Sequence, residues 1–342
     1  MSLIGIYHYR KDPKNYGRAY RYAAIAKLEN VDIFYFTSKG VDFDNKTING
    51  FYYDNGKWLE KEFPFPDVII NHVGPITKKQ RAIYNKLMKL VPFTSNPVGT
   101  KLTVYNKIKK GKEFVDYLIP YQKLKKPIDV LEFLEKHPQI ILKPLSGHHG
   151  KGIIFIEKID ENFIIKTNDE NLILNRIKLY EYIIKVQEKN KMIIQKYINS
   201  KTNTDEPFDI RIHLQKDENG KWINTKIYPK VGFSNKVITN LSSGGKITLL
   251  KTFLESLYGK EYFDMKKYLE VFAIQFANHF ESLYKHKFDE LGIDVGLDEN
   301  NRIWIYEVNW RPGHIFIEFN AAVNVIKYAK YLASLKRKED EK

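Results

Sequence analysis

A lysine followed by a glycine-rich segment is the first stretch of the sequence with a potential for chemistry. Lys143 lies near the end of an apolar run, Ile140–Pro144, and Gly147, Gly150 and Gly152 follow shortly after it. Glycines let backbone N–H groups surround phosphate oxygens, and a lysine adds a compact positive charge. The spacing is neither that of a Walker A loop nor that of GxGxxG. We interpret the segment as a phosphate-binding flap between two strands, with an ordinary glycine hairpin as the alternative.

Four polar side chains alternate with apolar ones along Phe208–Gln215. Because successive side chains of a strand point to opposite faces, Asp209, Arg211, His213 and Gln215 are expected to share one face. The other face is apolar and is predicted to join the core. The polar row could line a cleft, or it could belong to a half-solvated strand with a surface Asp–Arg pair.

Three oxygen donors occur near the carboxyl end of the chain. Glu307 and Asn309 share one face of a predicted strand, and Asp294 lies on the neighbouring strand of the same predicted hairpin. Carboxylate and amide oxygens suit Mg²⁺ that bridges phosphates. An unpaired Glu307 would be expensive to bury in a strand this apolar. The alternative is an edge strand whose acids are solvated.

The segment Asn240–Gly245 is predicted to be a turn whose N–H groups could hold an anion or a developing oxyanion. Taken alone, a plain turn explains it better. Other chemistry has little support, since the sequence contains neither an HExxH motif nor a GxSxG motif. The absence of cysteine excludes disulfides, thiolate metal sites and cysteine nucleophiles.

The first 95 residues, which precede all of these groups, are predicted to form an α/β unit. Apolar runs alternate with helical spacing, which predicts a small open α/β sheet. Strands are predicted at Leu3–Tyr7, Val31–Phe36 and Asp67–Asn71, helices at Gly17–Leu28 and Lys78–Leu90, and hairpins within Asp42–Phe65.

The rest of the chain reads as mixed β and α structure. Helices are predicted at Leu102–Tyr117, Val130–Leu134, Leu172–Gln187, Tyr268–Phe288 and Glu318–Leu335. Strands are predicted at Ile140–Pro144, Ile153–Ile156, Met192–Ile198, Phe208–Gln215, Lys221–Val231, Ile293–Leu297 and Arg302–Asn309. The charged residues Lys336–Lys342 are predicted to form a frayed tail.

Composition places the chain among globular proteins of more than one unit. Its 342 residues are 43% hydrophobic and 28% charged, so a sizeable core can form. No apolar run approaches the ~18 residues of a membrane span, and the first ten residues turn polar too soon for a signal peptide. We therefore expect a cytoplasmic protein without a membrane partner.

The net charge of +15 could indicate a polyanionic partner. However, only nine of the 56 basic residues are Arg, and the lysines are spread along the whole chain. Nucleic-acid recognition relies on the fixed geometry of Arg, so a nucleic-acid partner is not expected. The charge slightly favours an acidic substrate.

Taken in order, these motifs resemble the ATP-grasp superfamily, specifically its carboxylate–amine ligases of the glutathione synthetase and ribosomal-protein glutamate ligase kind. The matching residues are Asp-Ile-Arg at 209–211, Asn-Leu-Ser-Ser-Gly-Gly at 240–245, and Asp294 followed by Glu-Val-Asn-Trp-Arg-Pro-Gly at 307–313. The resemblance covers roughly Asn96 to Gly313. Within the superfamily the sequence is most similar to the endospore coat-associated ATP-grasp proteins of spore-forming bacteria, which suggests a possible spore association.

The resemblance implies an α/β (α+β) ATP-grasp fold that holds ATP between two subdomains. An N-terminal α/β domain would span residues 1–95, and a subdomain with the glycine flap would span 96–195. A C-terminal subdomain with a Mg²⁺ site would span 196–335, before the charged tail at 336–342.

The resemblance also assigns roles to individual residues. The nucleotide would be bound by Lys107, Lys143, the flap residues Ser146, Gly147, Gly150 and Gly152, and the hinge Gln195, Lys196, Tyr197 and Ile198, where Lys196 replaces the usual Glu. Mg²⁺ would be held by Asp294, Glu307 and Asn309. The transferring phosphate would meet Arg211 and Lys230, and Arg311 would serve both catalysis and the acceptor side. The acceptor side would further include Asn240, Gly244 and Gly245, with Trp310 at a position where small residues are usual.

The implied function is an ATP-dependent ligase that forms an amide or peptide bond through an acyl phosphate, with release of ADP and phosphate. Its partners would be small-molecule or peptide carboxylates and amines. The first alternative is a small-molecule kinase on the same scaffold. The second is a spore-associated structural or binding protein with a vestigial nucleotide site.

Overall fold

The computed structural model describes residues 2–145, 152–167, 169–233 and 245–340 of the chain. Its strands form three separate sheets of five, six and five strands. The N-terminal sheet has the order β4-β3-β2-β1-β5, in which β1 is parallel to β2 and β5, and β2, β3 and β4 are antiparallel. Its strands are β1 Leu3–Tyr7, β2 Asp32–Asp42, β3 Thr47–Asp54, β4 Lys57–Pro64 and β5 Val68–Ile70.

Three helices belong to the N-terminal sheet. Helix α1 spans Gly17–Leu28, as the sequence predicts, and α2 spans Lys78–Leu87. Helix α2 begins at a capping box, because the Thr77 side chain accepts from the Gln80 N–H and the Gln80 side chain accepts in return. The third helix, α8 at Glu318–Asp340, comes from the far end of the chain. Its Val325, Ile326 and Ala329 join the core formed by α1, β1 and β5.

The middle sheet is antiparallel, with the order β10-β9-β8-β7-β11-β6. Its strands are β6 Tyr121–Lys123, β7 Gln139–Pro144, β8 Ile154–Ile159, β9 Asn162–Lys166, β10 Asn171–Asn175 and β11 Met192–Lys196. Helices α4 (Ile128–Lys136) and α5 (Arg176–Lys189) supply apolar side chains to its core.

The predicted helix at Leu172–Gln187 is wrong at its start. Residues Asn171–Asn175 form strand β10 instead, and α5 begins only at Arg176. The Asn175 side chain caps the helix by accepting from the Lys178 N–H. The prediction failed because apolar residues before and after the cap have the spacing of one continuous helix. Two of them, Ile173 and Ile177, are in fact exposed and do not belong to a buried helix face.

The C-terminal sheet has the order β14-β13-β12-β15-β16 and is antiparallel. Its strands are β12 Phe208–Lys216, β13 Trp222–Val231, β14 Lys246–Ile247, β15 Glu290–Leu297 and β16 Ile303–Asn309. Helices α3 (Lys101–Gly111), α6 (Leu250–Tyr258) and α7 (Tyr262–Ser282) cover the core on one face of this sheet. The predicted hairpin of β15 and β16 is confirmed.

Three further helices, α2, α3 and α7, end earlier than their patterns predict, and α2 ends at Leu87 instead of Leu90. Helix α3 stops at Gly111, where Lys112 adopts a φ of +68°, and a separate 3-10 turn follows at Val115–Tyr117. Helix α7 stops at Ser282, and the Glu281 side chain then accepts from the Phe288 N–H, which fixes the chain in a turn. Apolar residues after each helix continue its spacing although the backbone has left it.

The packing of two helices differs from the sequence-based domain boundaries. Helix α3 follows the N-terminal unit in sequence, but Val104, Tyr105 and Ile108 pack in the core of the C-terminal sheet. Helix α8 lies on the N-terminal sheet and remains helical through Asp340, with Arg337 paired to Asp67 at 2.7 Å. Most of the predicted frayed tail is therefore ordered helix. Within the described ranges, no helix combines the length and apolar character that a membrane span would require.

Candidate functional site

The candidate site lies across the central strands of the C-terminal sheet. Strand register places Arg211 of β12 opposite Asp294 of β15, and Asp294 opposite Glu307 of β16. On the other side of β12, Asp209 lies opposite Lys230 of β13. Three strand pairings therefore bring separate sequence motifs to one surface, as side-chain alternation predicts.

Four of these residues form a network of ion pairs, which we call the phosphoryl cluster: Asp209, Arg211, Lys230 and Asp294. Arg211 donates to both carboxylate oxygens of Asp294, from Nε at 2.7 Å and from its terminal nitrogen at 2.9 Å. Lys230 donates to Asp294 Oδ1 at 2.9 Å and lies 2.6 Å from Asp209 Oδ1. The four side chains are largely buried, so these charges are compensated within the protein.

The cluster keeps its charges fixed over a wide pH range. Burial opposes the charge of Lys230, but Asp294 and Asp209 outweigh it and raise the pKa of Lys230 to about 12. Burial also opposes ionisation of Asp294, yet Arg211 and Lys230 hold the pKa of that carboxyl well below its usual range. Burial likewise opposes the charge of Arg211, but Asp294, with smaller contributions from Tyr228 and Asp209, raises the pKa of Arg211 above its usual value.

Two more lysines approach the cluster from other elements. Lys143, on β7 of the middle sheet, has its Nζ 5.4 Å from the centre of the Tyr306 ring. Burial, with a contribution from the Lys101 charge, lowers the pKa of Lys143 to about 8, although Glu307, Asp209 and Asp294 oppose the shift. Lys101, the first residue of α3, lies with its Nζ 3.7 Å from Glu307 Oε1.

The three predicted metal ligands are close together but differ in how firmly they are held. Both oxygens of Asp294 already accept from Arg211, whereas Glu307 is 35% exposed and, among the described residues, its ion-pair partner is Lys101 at 3.7 Å. Asn309 is partly buried at the end of β16, opposite Gly292 in the register. Glu307 and Asn309 offer oxygens on one strand face, so the donor set fits a Mg²⁺ that retains waters or phosphate oxygens.

The predicted hinge lies at the edge where the middle sheet meets the C-terminal sheet. Gln195 and Lys196 end strand β11, and the N–H groups of Lys196 and Tyr197 donate to Pro120 and Gln139. The Gln195 side chain donates to the Tyr105 hydroxyl at 2.8 Å. Ile198 packs with Ile119 and Trp304 in a small apolar cluster. The hinge therefore has apolar surface beside it, while the N–H groups of Lys196 and Tyr197 are bonded within the protein.

Three other predicted residues lie away from the phosphoryl cluster. Lys107 donates to the Leu283 carbonyl and covers the Tyr284 ring, so it faces α7 instead of Glu307. Arg311 stacks on Trp310 with its Cζ 4.0 Å from the ring centre, and it donates to the Tyr84 hydroxyl at 3.4 Å. Gly245 directly precedes β14, at the outer edge of the sheet.

Gly152 adopts a φ of +73° beside Pro144, where a Cβ atom would lie 3.1 Å from the proline ring. This left-handed backbone explains a glycine at the end of the predicted flap. The remaining predicted residues lie outside the described residues: Ser146, Gly147, Gly150, Asn240 and Gly244.

The sequence analysis did not assign roles to Lys101 or Asp209 in the site. Asp209 was recognised as part of an alternating strand and of the Asp-Ile-Arg motif, but not as a partner of Lys230, which follows once β12 and β13 are paired. Lys101 and Lys107 lie on one helix, six residues apart. At 100° per residue they project about 120° apart around the axis, so only one of them can face the site.

Comparison with known proteins agrees with this geometry. The family model described as YheC/D like ATP-grasp matches residues 90–332. The chain is 24% identical over 294 residues to the endospore coat-associated protein YheD of Bacillus subtilis (strain 168), covering 82% of this chain and 64% of YheD. It is 26% identical over 269 residues to YheC of the same organism, covering 75% of this chain and 73% of YheC. The chain thus spans somewhat less than two thirds of YheD.

Among solved structures, a Chryseobacterium gregarium RiPP-associated ATP-grasp ligase, in complex with ADP and a leader and core peptide, has a TM-score of 0.52. It is 13% identical and the match covers 99% of this chain and 97% of that chain. At this identity the likeness concerns the fold. The family model matches more than half of the chain, and the motifs found in the sequence meet on the paired strands described above. The chain therefore belongs to the YheC/D-like ATP-grasp family.

Proposed function

We propose that this protein is an ATP-dependent carboxylate–amine ligase that forms an amide or peptide bond. The observation that carries the proposal is the register of Arg211, Asp294 and Glu307 on three adjacent strands, with Lys143 facing them from another sheet. Cations and oxygen donors at one place suit a transferring phosphoryl group, for which positioning and electrostatic stabilisation are the main requirements.

The nucleotide is proposed to lie between the middle and C-terminal sheets. Lys143 would contact its phosphates, with the flap residues Ser146, Gly147, Gly150 and Gly152 above them. Adenine would lie along the hinge residues 195–198, beside the apolar cluster of Ile119, Ile198 and Trp304. We propose Lys101 instead of Lys107 as the lysine of α3 nearest the phosphates, because it lies 3.7 Å from Glu307.

Glu307 and Asn309 would hold Mg²⁺, with Asp294 as a third oxygen donor. Bound there, Mg²⁺ would offset negative charge on the phosphates. Asp294 is engaged by two cations, so we assign it the further role of orienting Arg211 and Lys230. Arg211 and Lys230 would in turn stabilise the charge that develops on the transferred phosphoryl group.

In the proposed reaction, a substrate carboxylate oxygen attacks the γ-phosphorus of ATP, and the bond to the bridging oxygen of ADP breaks. The resulting acyl phosphate is then attacked by an amine, which loses a proton as phosphate leaves. Arg311, Asn240, Gly244 and Gly245 are proposed for the acceptor side. Exclusion of water by the flap would protect the acyl phosphate from hydrolysis.

The substrates are proposed to be small molecules or peptides, with acidic ones favoured by the net charge of +15. The ligase compared above was solved with a leader and core peptide, which supports including peptides as candidates. The names of the two Bacillus relatives support a possible association with spores. The cytoplasmic location stays a prediction from the sequence.

The test is phosphate release from Mg-ATP with each amino acid, alone and with a small-molecule or peptide extract, followed by mass spectrometry of the products. A ligase yields phosphate together with a product heavier by one amino-acid residue. A product that instead carries a phosphate would establish the kinase. Absence of both turnover and nucleotide binding would favour a structural protein with a vestigial site.

Two lysine variants test which side chains contact the nucleotide phosphates. Lys143→Met is expected to lower turnover ~100-fold or more, because a charge that faces the phosphates is removed. Lys107→Met is the matched control on α3 and should retain turnover, since Lys107 contacts Leu283 and Tyr284. Full ATP turnover by Glu307→Gln under saturating Mg²⁺ would contradict the metal assignment.

A further inference from the structure

A second group of titratable side chains lies between the N-terminal and C-terminal sheets. We call it the seam cluster: His72, His213, Asp289, Glu290 and His314. His213 is on β12 and Glu290 on β15, while His72 follows β5 and His314 follows β16. All five are buried, and none has a role in the proposed ligase reaction. The cluster brings together three of the nine histidines of the chain.

Glu290 is at the centre of the seam cluster. Its Oε2 lies 2.7 Å from His314 Nε2 and 3.6 Å from His213 Nε2. Its Oε1 lies 3.6 Å from His72 Nε2, which is also 3.0 Å from Asp289 Oδ2. The ligand atoms of His213, Glu290 and His314 all lie within 4.8 Å of one another.

Several polar atoms of the cluster are buried without a hydrogen-bond partner among the described residues. They are both ring nitrogens of His213, Oε1 of Glu290 and Oδ1 of Asp289. His213 has no exposed side-chain surface, and its Nε2 is directed toward Glu290 at a distance too long for a hydrogen bond. Buried polar groups are normally satisfied, so the unpartnered Nε2 of His213, directed toward Glu290, points to a missing ligand between these two side chains.

The two carboxylates of the seam cluster also lack a permanently charged partner nearby. In the part of the chain that the structure describes, neither Asp289 nor Glu290 has a Lys or Arg within 4.0 Å. Arg18 and Arg311 act on Glu290 only from a longer distance. The neighbouring histidines carry a charge only when protonated, so a bound divalent cation would compensate the two buried carboxylates without protonation of the imidazoles.

We propose that His213, Glu290 and His314 bind one divalent transition-metal ion of the Zn²⁺ type. Two imidazole nitrogens and one carboxylate oxygen are ligands that Zn²⁺ prefers, whereas Mg²⁺ prefers an all-oxygen set. Zinc–ligand bonds of ~2.0–2.1 Å place tetrahedral ligand atoms about 3.4 Å apart. The two separations from Glu290, 2.7 and 3.6 Å, fall on either side of that value, and the two imidazole nitrogens lie within 4.8 Å of each other, so side-chain adjustment can bring all three ligand atoms to it.

His72 and Asp289 are the outer partners of this site. The Tyr22 hydroxyl lies 2.7 Å from His72 Nδ1, and the Ser95 hydroxyl donates to Asp289 Oδ2 at 2.7 Å. Such outer contacts orient metal-binding groups and are part of most metal sites. Tyr22, His72 and Ser95 belong to the N-terminal unit, whereas the three proposed ligands belong to the C-terminal one, so the ion would meet the N-terminal unit only through these outer partners.

The experiment uses the full chain, freed of metal with a chelator and measured without ATP or Mg²⁺. Titration with Co²⁺ should show one bound equivalent with the visible absorption of a tetrahedral site, displaced by Zn²⁺. Glu290→Gln and His213→Gln should weaken binding by ~100-fold or more. His286→Gln, outside the cluster, and Glu307→Gln, in the proposed Mg²⁺ site, should retain it.

Failure of the wild-type protein to bind Co²⁺ or Zn²⁺ stoichiometrically would overturn the proposal, as would full binding by His213→Gln. If both cluster variants fail to fold, X-ray absorption of the Zn²⁺-loaded wild type decides, since two imidazole ligands must be visible. The result is separable from ligase activity because no nucleotide is present.

Discussion

The phosphoryl cluster and the seam cluster both take residues from strands β12 and β15, yet they are stabilised in different ways. In the phosphoryl cluster, each buried carboxylate faces a permanent cation within 2.9 Å. In the seam cluster, the partners of Asp289 and Glu290 are histidines, which carry a charge only when protonated. The strands are shared, so the difference comes from the residues that neighbouring elements contribute.

This difference indicates whether each cluster is already complete before its proposed ligand binds. A network that is neutralised by its own chain is rigid before the ligand arrives, which favours rapid positioning of a phosphoryl group. A histidine cluster with unpartnered atoms depends on a proton, a water or a metal ion to complete it. Three changes test this comparison.

The largest effect is expected for Asp294→Asn. The change leaves Arg211 and Lys230 buried with one fewer anion, so the free energy of unfolding should fall by about 3–5 kcal/mol. Urea denaturation of the unliganded protein measures it. Glu135→Gln is the matched control, because its ion pair with Lys158 is exposed to solvent and its loss should change the free energy of unfolding little. Equal losses in the two variants would contradict the stated role of the cluster.

An intermediate effect is expected from the titration of Lys143. Its pKa of about 8 means that the charge proposed to contact the phosphates is lost as pH rises above 8. Mg-ATP affinity should therefore fall above pH 8, by up to about tenfold per pH unit, until the ATP-bound lysine itself deprotonates. Calorimetric titrations between pH 7 and 9.5 would measure this.

The stability of the unliganded protein should change in the opposite direction. The pKa of Lys143 is depressed in the folded state, so the unfolded chain binds more protons between pH 8 and 10.5. The contribution of Lys143 to the free energy of unfolding should therefore rise with pH in that window. Lys143→Met should remove both pH dependences, and a Mg-ATP affinity that falls equally in this variant would assign the effect to another group.

The smallest effect is expected for Tyr22→Phe in the seam cluster. The change removes the 2.7 Å hydrogen bond to His72 and leaves a buried ring nitrogen unpaired, so about 1–2 kcal/mol of stability should be lost. Tyr20→Phe on the same helix should change stability by less than ~0.5 kcal/mol. If metal binding completes the cluster, the Tyr22→Phe loss should differ between the metal-free and Zn²⁺-loaded protein, as measured by thermal unfolding.

The local sequence pattern predicted the structure correctly where the backbone geometry repeats regularly along the chain. The period of two along a strand placed Glu307 and Asn309 on one face and Arg211 on the polar face of β12, and the structure places them so. The limits of α1 follow from its helical spacing. Patterns failed at Asn175, Gly111 and Ser282, where apolar residues continue a helical stripe after a cap or turn has changed the backbone.

The sequence by itself determined the family, the order of the motifs and the strand faces that carry them, because these depend on residue type and short-range periodicity. Only the tertiary structure decided that Lys101 instead of Lys107 faces Glu307, since the packing of Val104 and Ile108 fixes the rotation of α3. It also decided that α8 lies on the N-terminal sheet. The seam cluster is drawn from segments near residues 72, 213, 290 and 314, and no local pattern can show that distant buried side chains converge.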